Sequence, residues 1–202
     1  MQANEALEKL KEGNLRYVQA SADDNQVQVS AKPHKVILEQ KPFAVVLGCS
    51  DSRAPAELLF DQGVGDLFII RVAGNIAEPS QIGSIEFACE KFGTQLVVVM
   101  GHSLCGAVAA TVDTLSSSAG EMSPNLASIV DRVAPAILPV VAADQASPRD
   151  ELISKAMRAN VEYSVKQLES RSAVLRNLVE KGKLKIVGAE YSIETGVVEF
   201  YL

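Results

Sequence analysis

The stretch Phe43-Ala44-Val45-Val46-Leu47-Gly48-Cys49-Ser50-Asp51-Ser52-Arg53 decides how this chain is read. Its first six residues form an unbroken apolar run, the pattern of a parallel β-strand covered on both faces. Its last five alternate a thiol, a carboxylate and a guanidinium with two serines. Core packing alone has no use for three such groups at a strand exit. A second stretch gives them a context. Leu96-Val97-Val98-Val99-Met100 is another apolar strand, and it runs directly into Gly101-His102-Ser103-Leu104-Cys105-Gly106.

Working outward, residues 3–20 carry Leu7, Leu10, Tyr17 and Val18 at helical spacing among charges, which predicts an amphipathic helix. Ser21–Ser30 reads as a loop, with weak helix at Pro33–Glu39 that Lys41-Pro42 ends. A short helical turn at 55–60 precedes a second strand, Leu67–Ile70. A helix at about 80–92 has Ile82, Ile85, Cys89 and Phe92 on one face, and Gly93 is placed as its C-cap. Ser103–Leu115 is helical, Ser116–Asn125 is a low-complexity loop, and Ser123-Pro124 opens a helix that Pro135 and Pro139 interrupt. Ser147-Pro148-Arg149-Asp150 reads as a capping box opening a long helix that bends near residue 170 and stops at Gly182. The fourth strand is Leu184–Ala189, and a turn at 193–197 leads to an antiparallel edge strand, Val197–Tyr201.

This alternation predicts an α/β fold. The expected sheet is mainly parallel, of about four strands plus an antiparallel carboxyl-terminal edge strand, flanked by helices. One domain over 1–202 is expected, with 1–40 as an amino-terminal helical arm and 41–202 as the core. In such sheets functional residues gather at the carboxyl ends of strands. Both marked stretches sit there.

Composition narrows the function. Apolar residues are 48% and charged residues 22%, ordinary for a soluble globular domain. A net charge of −6 disfavours nucleic acid and anionic membranes, which both demand basic patches. The charged amino terminus does not read as a signal peptide. No apolar stretch is expected to reach the roughly 20 residues of a membrane span. Three cysteines give no disulfide framework and fit a reducing, cytoplasmic setting. Cys89 is expected to be a buried small hydrophobe, and His34 a surface residue.

Cys49, His102 and Cys105 offer two sulfurs and a nitrogen, a ligand set for zinc. Three protein ligands leave a fourth position open, as in catalytic zinc sites. Asp51 decides between two states. Bound to zinc it closes the site; paired with Arg53 it leaves the site open and accepts a hydrogen bond from zinc-bound hydroxide. A phosphatase-type cysteine loop does not fit, because Cys49 to Arg53 is too short and lacks a glycine cradle.

These residues resemble the β-class carbonic anhydrases, whose signature Cys-x-Asp-x-Arg followed by His-x-x-Cys is matched by Cys49–Arg53 and by His102–Cys105. The resemblance covers residues 5–115, including Gly13-Asn14 and Arg71 through Asn75, and the last third matches in pattern more than in motif. It implies reversible hydration of carbon dioxide to bicarbonate and a proton, zinc (Zn2+) on Cys49, His102 and Cys105, and an Asp51–Arg53 dyad. It also implies a homodimer or homotetramer, with the amino-terminal helices embracing the neighbour and the active site at the dimer interface. Gln40 stands where the plant-like subgroup has a substrate-orienting glutamine, and Val46 where a bicarbonate-inhibited subgroup has tryptophan. The substrate pocket is thus expected to involve Gln40, Val46, Phe68 and Gly106. A pocket tyrosine expected in the 75–85 region is missing, with Ile76 or Ile82 filling the space.

Two other readings stay open at this point. One is a hydrolase of carbon disulfide or carbonyl sulfide on the same scaffold. The other is a non-catalytic zinc protein with Asp51 as a fixed fourth ligand.

Overall fold

Alternating side chains of one strand, Ala44–Gly48 (β1), enter two different cores, and this is why its apolar run is unbroken. Val45 and Leu47 join one apolar cluster, while Ala44 and Val46 join another on the opposite face. The computed structural model describes residues 1–22, 39–116, 122–144 and 146–201. Around β1 lie Leu67–Arg71 (β2), Leu96–His102 (β3), Lys185–Tyr191 (β4) and Val198–Tyr201 (β5), in the order β2-β1-β3-β4-β5. The first four are parallel, and β5 runs antiparallel to β4. The predicted architecture is the observed one.

Seven α-helices, among the described residues, cover the two faces. Ala3–Ala22 (α1) and the short Ala56–Leu59 (α2) lie on one side, burying Ala6, Leu10 and Leu59 against Val46, Val98 and Met100. The helix expected as an arm therefore packs on its own sheet through its first turns. Pro79–Phe92 (α3), Gly106–Ser116 (α4), Pro124–Ala143 (α5), Arg149–Arg171 (α6) and Ala173–Glu180 (α7) fill the other side. Gly93 ends α3 in the left-handed region, φ 67°, as its C-cap position predicted.

The expectations differ from the structure in four places. Pro135 and Pro139 do not interrupt α5, which is one helix. Both prolines lie on its exposed side, where water can satisfy the carbonyls they leave without partners. The capping box at Ser147 does not form, because the helix begins at Arg149 with Pro148 as N-cap; Ser147 bonds Asp144 instead. Helix α4 starts at Gly106, three residues late, since Ser103–Cys105 form a turn. One helix, α5, is long and apolar enough to cross a membrane by length and composition, with a mean hydropathy of 1.7 in its best window. Its inner residues Val133, Ile137 and Val141 pack into the core. The loop and weak helix expected at 21–39 fall almost wholly outside the described residues, as does His34.

The α6 bend expected near 170 is at Ser172. There the Ser172 Oγ accepts the Leu175 N–H at 3.0 Å and caps α7. Asn14 ties α1 to the end of α2 and to the segment leading into β5. Its Nδ2 donates to the carbonyls of Leu59 and Gly196, and its Oδ1 accepts the Val198 N–H at 2.8 Å.

Candidate metal centre

Strands β1 and β3 are neighbours, with Gly48 opposite Met100, so Cys49 leaves the sheet beside the end of β3 at His102. The chain must then turn sharply to enter α4. Leu104 makes that turn at φ 58°, a left-handed conformation uncommon for a residue with a Cβ. The turn brings Cys105 back toward Cys49. The two sulfurs and a ring nitrogen of His102 all lie within 4.8 Å of one another, and the three residues are buried.

The His102 Nδ1 lies 2.8 Å from the Ser103 carbonyl. A carbonyl only accepts, so Nδ1 carries the proton and Nε2 presents its lone pair to the sulfurs. That Nε2 is buried and without a hydrogen-bond partner. A buried imidazole nitrogen facing two sulfurs is costly in an ordinary core and is what a zinc ligand requires. Burial pulls the histidine's pKa down, but the Cys49 sulfur, the Ser103 carbonyl and Asp51 outweigh it, and the net shift is upward. Surroundings of that sign favour a cation.

Each sulfur has donors. Cys49 Sγ accepts the Gly74 N–H at 3.4 Å, and the backbone of Val108 and Ala107 at the start of α4 favours the thiolate of Cys105. When no cation stands between them, the sulfurs share one proton. A hydrogen bond from the Cys105 thiol, opposed by burial and supported by the nearby His102 ring and the Gly74 and Asp51 backbone, holds Cys49 well below the usual thiol range. The same bond, together with burial, pushes Cys105 far above its usual range. A divalent cation would replace that proton and let both sulfurs be thiolates.

Asp51 sits beside this cluster without entering it. Its Oδ1 and Oδ2 accept Nε and Nη2 of Arg53 at 2.9 and 2.8 Å, and Oδ1 also accepts the Arg53 backbone N–H at 2.9 Å. Oδ2 is 3.9 Å from His102 Nε2. The Arg53 side chain holds the Asp51 carboxyl well below the usual carboxylate range, against the opposing effect of burial. A second arginine fixes the loop. Arg71, the last residue of β2, donates from Nε to the Cys49 carbonyl at 2.9 Å and from Nη2 to the Asp51 carbonyl.

Of the four expected pocket residues, only Gly106 adjoins the cluster, as the first residue of α4, with open space where a Cβ would stand. Val46 is a correction: its side chain is fully buried on the face opposite Cys49, because residues three apart on a strand point to opposite sides. Phe68 is another. It stands opposite Val45 on β2 and packs with Phe92 and Phe87 at centroid distances of 6.1 and 6.4 Å, well back from the strand end. Gln40 precedes β1 and lines a groove with Asp66 and Thr94, which precede β2 and β3. Five residues of strand, about 16 Å, separate it from the cluster of its own chain. Ile76 and Ile82 are buried in the cluster that contains Cys49 and Cys105. Sequence reasoning noted Arg71 and Gly74 inside a matched stretch but gave them no role, and gave no sign of the Ser103 carbonyl as the histidine's partner.

Comparison with known proteins agrees with this fold and site. Residues 44–198 match the family model described as carbonic anhydrase. The chain is 40% identical over 191 residues to a carbonic anhydrase of Mycolicibacterium smegmatis, covering 94% of this chain and 89% of that protein. It is 37% identical over 188 residues to carbonic anhydrase 2 of Mycobacterium tuberculosis, covering 93% and 87%. Among solved structures, the β-carbonic anhydrase CcaA aligns with a TM-score of 0.75 at 27% identity, over 98% of this chain and 92% of that one. A parallel sheet carrying a buried Cys-His-Cys centre beside an aspartate–arginine dyad defines a class of metal-dependent enzymes. The chain belongs to the β-class carbonic anhydrase family.

Proposed function

We propose that the protein binds one zinc ion through Cys49, His102 and Cys105 and catalyses the reversible hydration of carbon dioxide to bicarbonate and a proton. The observation that carries this reading is the buried, unpartnered Nε2 of His102 facing two sulfurs, with Asp51 turned toward Arg53. When bound, zinc supplies the Lewis acidity that makes water a nucleophile near neutral pH. An ionised Asp51 can only accept, so it would accept a hydrogen bond from an oxygen nucleophile beside it and orient that oxygen's lone pair. Arg53 occupies both carboxylate oxygens and keeps Asp51 from becoming a ligand. This engagement supports an open site over one closed by Asp51.

The assembly we propose is a homodimer or a homotetramer built from such dimers, with the active site at the dimer interface. Two observations support it. Gln40 can serve a metal cluster only in another chain, because its own lies across the sheet. The β2 edge carries half-exposed Leu67, Phe68, Ile69 and Ile70 beside Phe87, which is 51% exposed. We place the protein in the cytoplasm, with carbon dioxide and bicarbonate as its partners and no nucleic acid or membrane.

Stopped-flow hydration assays with metal analysis test the reading. Wild type is expected to hold one zinc per chain and to hydrate carbon dioxide. A zinc-replete protein with no activity from neutral to alkaline pH would overturn it. Competition with carbonyl sulfide and carbon disulfide separates the sulfur-analogue hydrolase.

A further inference from the structure

The conformation of one glycine determines whether Cys49 keeps its amide donor. Gly74 lies in a single 3-10 turn, Ala73–Asn75, at φ 73° and ψ 16°, and its N–H points at Cys49 Sγ. Glycine is free on both sides of its Cα, so something must hold it there. The peptide that follows it is clamped at both ends. The Asn75 N–H donates to the Val72 carbonyl at 3.0 Å, and the Gly74 carbonyl accepts from Asn160 Nδ2 at 2.8 Å.

Asn160 comes from the middle of α6, far away in sequence, and is 1% exposed. It interrupts an apolar stripe that includes Ile153, Ala156, Met157 and Val161. Its Oδ1 has no hydrogen-bond partner. A residue kept only for packing would not leave a buried acceptor unmade at that position. The amide is oriented instead by a single task, donation to Gly74. The space around the glycine is shaped to match, since a Cβ at Gly74 would meet Val133 Cγ2 at 3.1 Å and Ala107 Cβ at 3.3 Å.

We propose that Asn160 is a positioning residue for the metal centre. Through the Gly74 carbonyl it holds the 72–75 turn so that the Gly74 N–H stays on Cys49 Sγ. The bond withdraws charge from that thiolate, fixes its lone-pair direction and tempers its donation to the ion. This rests on the zinc reading above, and the two are separable by experiment.

Cobalt-substituted wild type and Asn160→Leu are compared by the thiolate-to-cobalt charge-transfer band, by zinc affinity in chelator competition and by melting temperature. Asn160→Leu is expected to shift the band and to weaken zinc affinity about ten- to hundredfold, the usual loss for a partner one step behind a ligand. Gly74→Ala is expected to move the band in the same direction. A lower melting temperature with band and affinity unchanged means a purely structural role and overturns the proposal. Should Asn160→Leu not fold, Asn160→Ser, whose hydroxyl is too short to reach, gives the same readouts. Wild type loaded with cadmium-113 needs no variant: scalar coupling from the metal to the Gly74 amide proton is expected, and its absence counts against the proposal. If wild type itself lacks a thiolate-to-cobalt band, it is the zinc reading that fails.

Discussion

Asp51 and Arg53, two residues apart, close a ring in which both carboxylate oxygens accept from the guanidinium, at 2.9 and 2.8 Å. The geometry leaves Oδ2 3.9 Å from His102 Nε2. On the proposed reading, the pair would keep the site open by occupying the group that could close it.

Arg53→Ala is expected to release that group. Activity should fall about 10²-fold with zinc still bound, in the range of losing an oriented acid–base partner. Zinc-edge absorption should detect an additional oxygen ligand that added anions do not exchange. Asp51→Asn is expected to lose activity to a similar degree without gaining the ligand.

Asp51 should not set the acid limb of the pH profile. Its folded pKa lies below the unfolded value of about 4. Its contribution to stability is therefore full above about pH 4 and is lost only as the pH falls through the lower folded value. Hydration rates of wild type measured down to pH 5 should show no loss assignable to this carboxylate, and Asn at position 51 should leave the shape of any fall unchanged.

Removing the metal exposes the cysteine pair to titration. Cys49 is held well below the unfolded thiol's value near 9, so from the lowered folded value up to about 9 the unfolded chain binds more protons. The pair's contribution to stability in chelator should therefore rise with pH across that window. Cys105 is shifted upward, so above about 9 the native state holds the extra proton and the contribution falls again. Urea midpoints of the chelated protein from pH 5 to 10 check the sign. The zinc-loaded protein should have a different profile.

Gln40 and Asp51 are expected to act across chains. Inactive Asp51→Asn and impaired Gln40→Ala proteins, unfolded and refolded together, should regain about a quarter of wild-type activity by random pairing into two-fold dimers. No recovery would mean that Gln40 takes no part.

Two contacts of α1 should weigh on stability and not on chemistry. A Cβ at Gly13 would lie 1.9 Å from the Phe60 carbonyl, so Gly13→Ala is expected to cost about 1–3 kcal/mol. Asn14→Ala leaves the Leu59 and Gly196 carbonyls and the Val198 N–H without their partner, at about 3 kcal/mol. For a chain of this size each kcal/mol is about 2–4 °C in melting temperature.

The parts of this fold legible in the sequence were those written in short-range pattern. The strands announced themselves by apolar runs, and Cys49, Asp51 and Arg53 lie in one pentapeptide. Residues whose role depends on where the chain goes next were not legible. Val46 and Phe68 are expected in the pocket by resemblance; strand alternation turns Val46 to the opposite face, and register keeps Phe68 back from the cluster of its own chain. Asn160 carries no local signature at all, since its only donor bond spans 86 positions. The prolines of α5 misled because their effect depends on which side of the helix meets water.

Ser103 has a consequence for how the protein is made. Its carbonyl fixes the His102 ring, its Oγ donates to Glu194 at 2.6 Å and accepts the Ile193 N–H at 2.9 Å, and its own N–H donates to the Tyr191 carbonyl. The loop bearing two of the metal-site side chains is thus fastened by residues 191–194, close to the last strand. On the ribosome, Cys49, His102 and Cys105 emerge long before that fastening exists. The loop is therefore held in its final place only once the carboxyl-terminal hairpin has folded back.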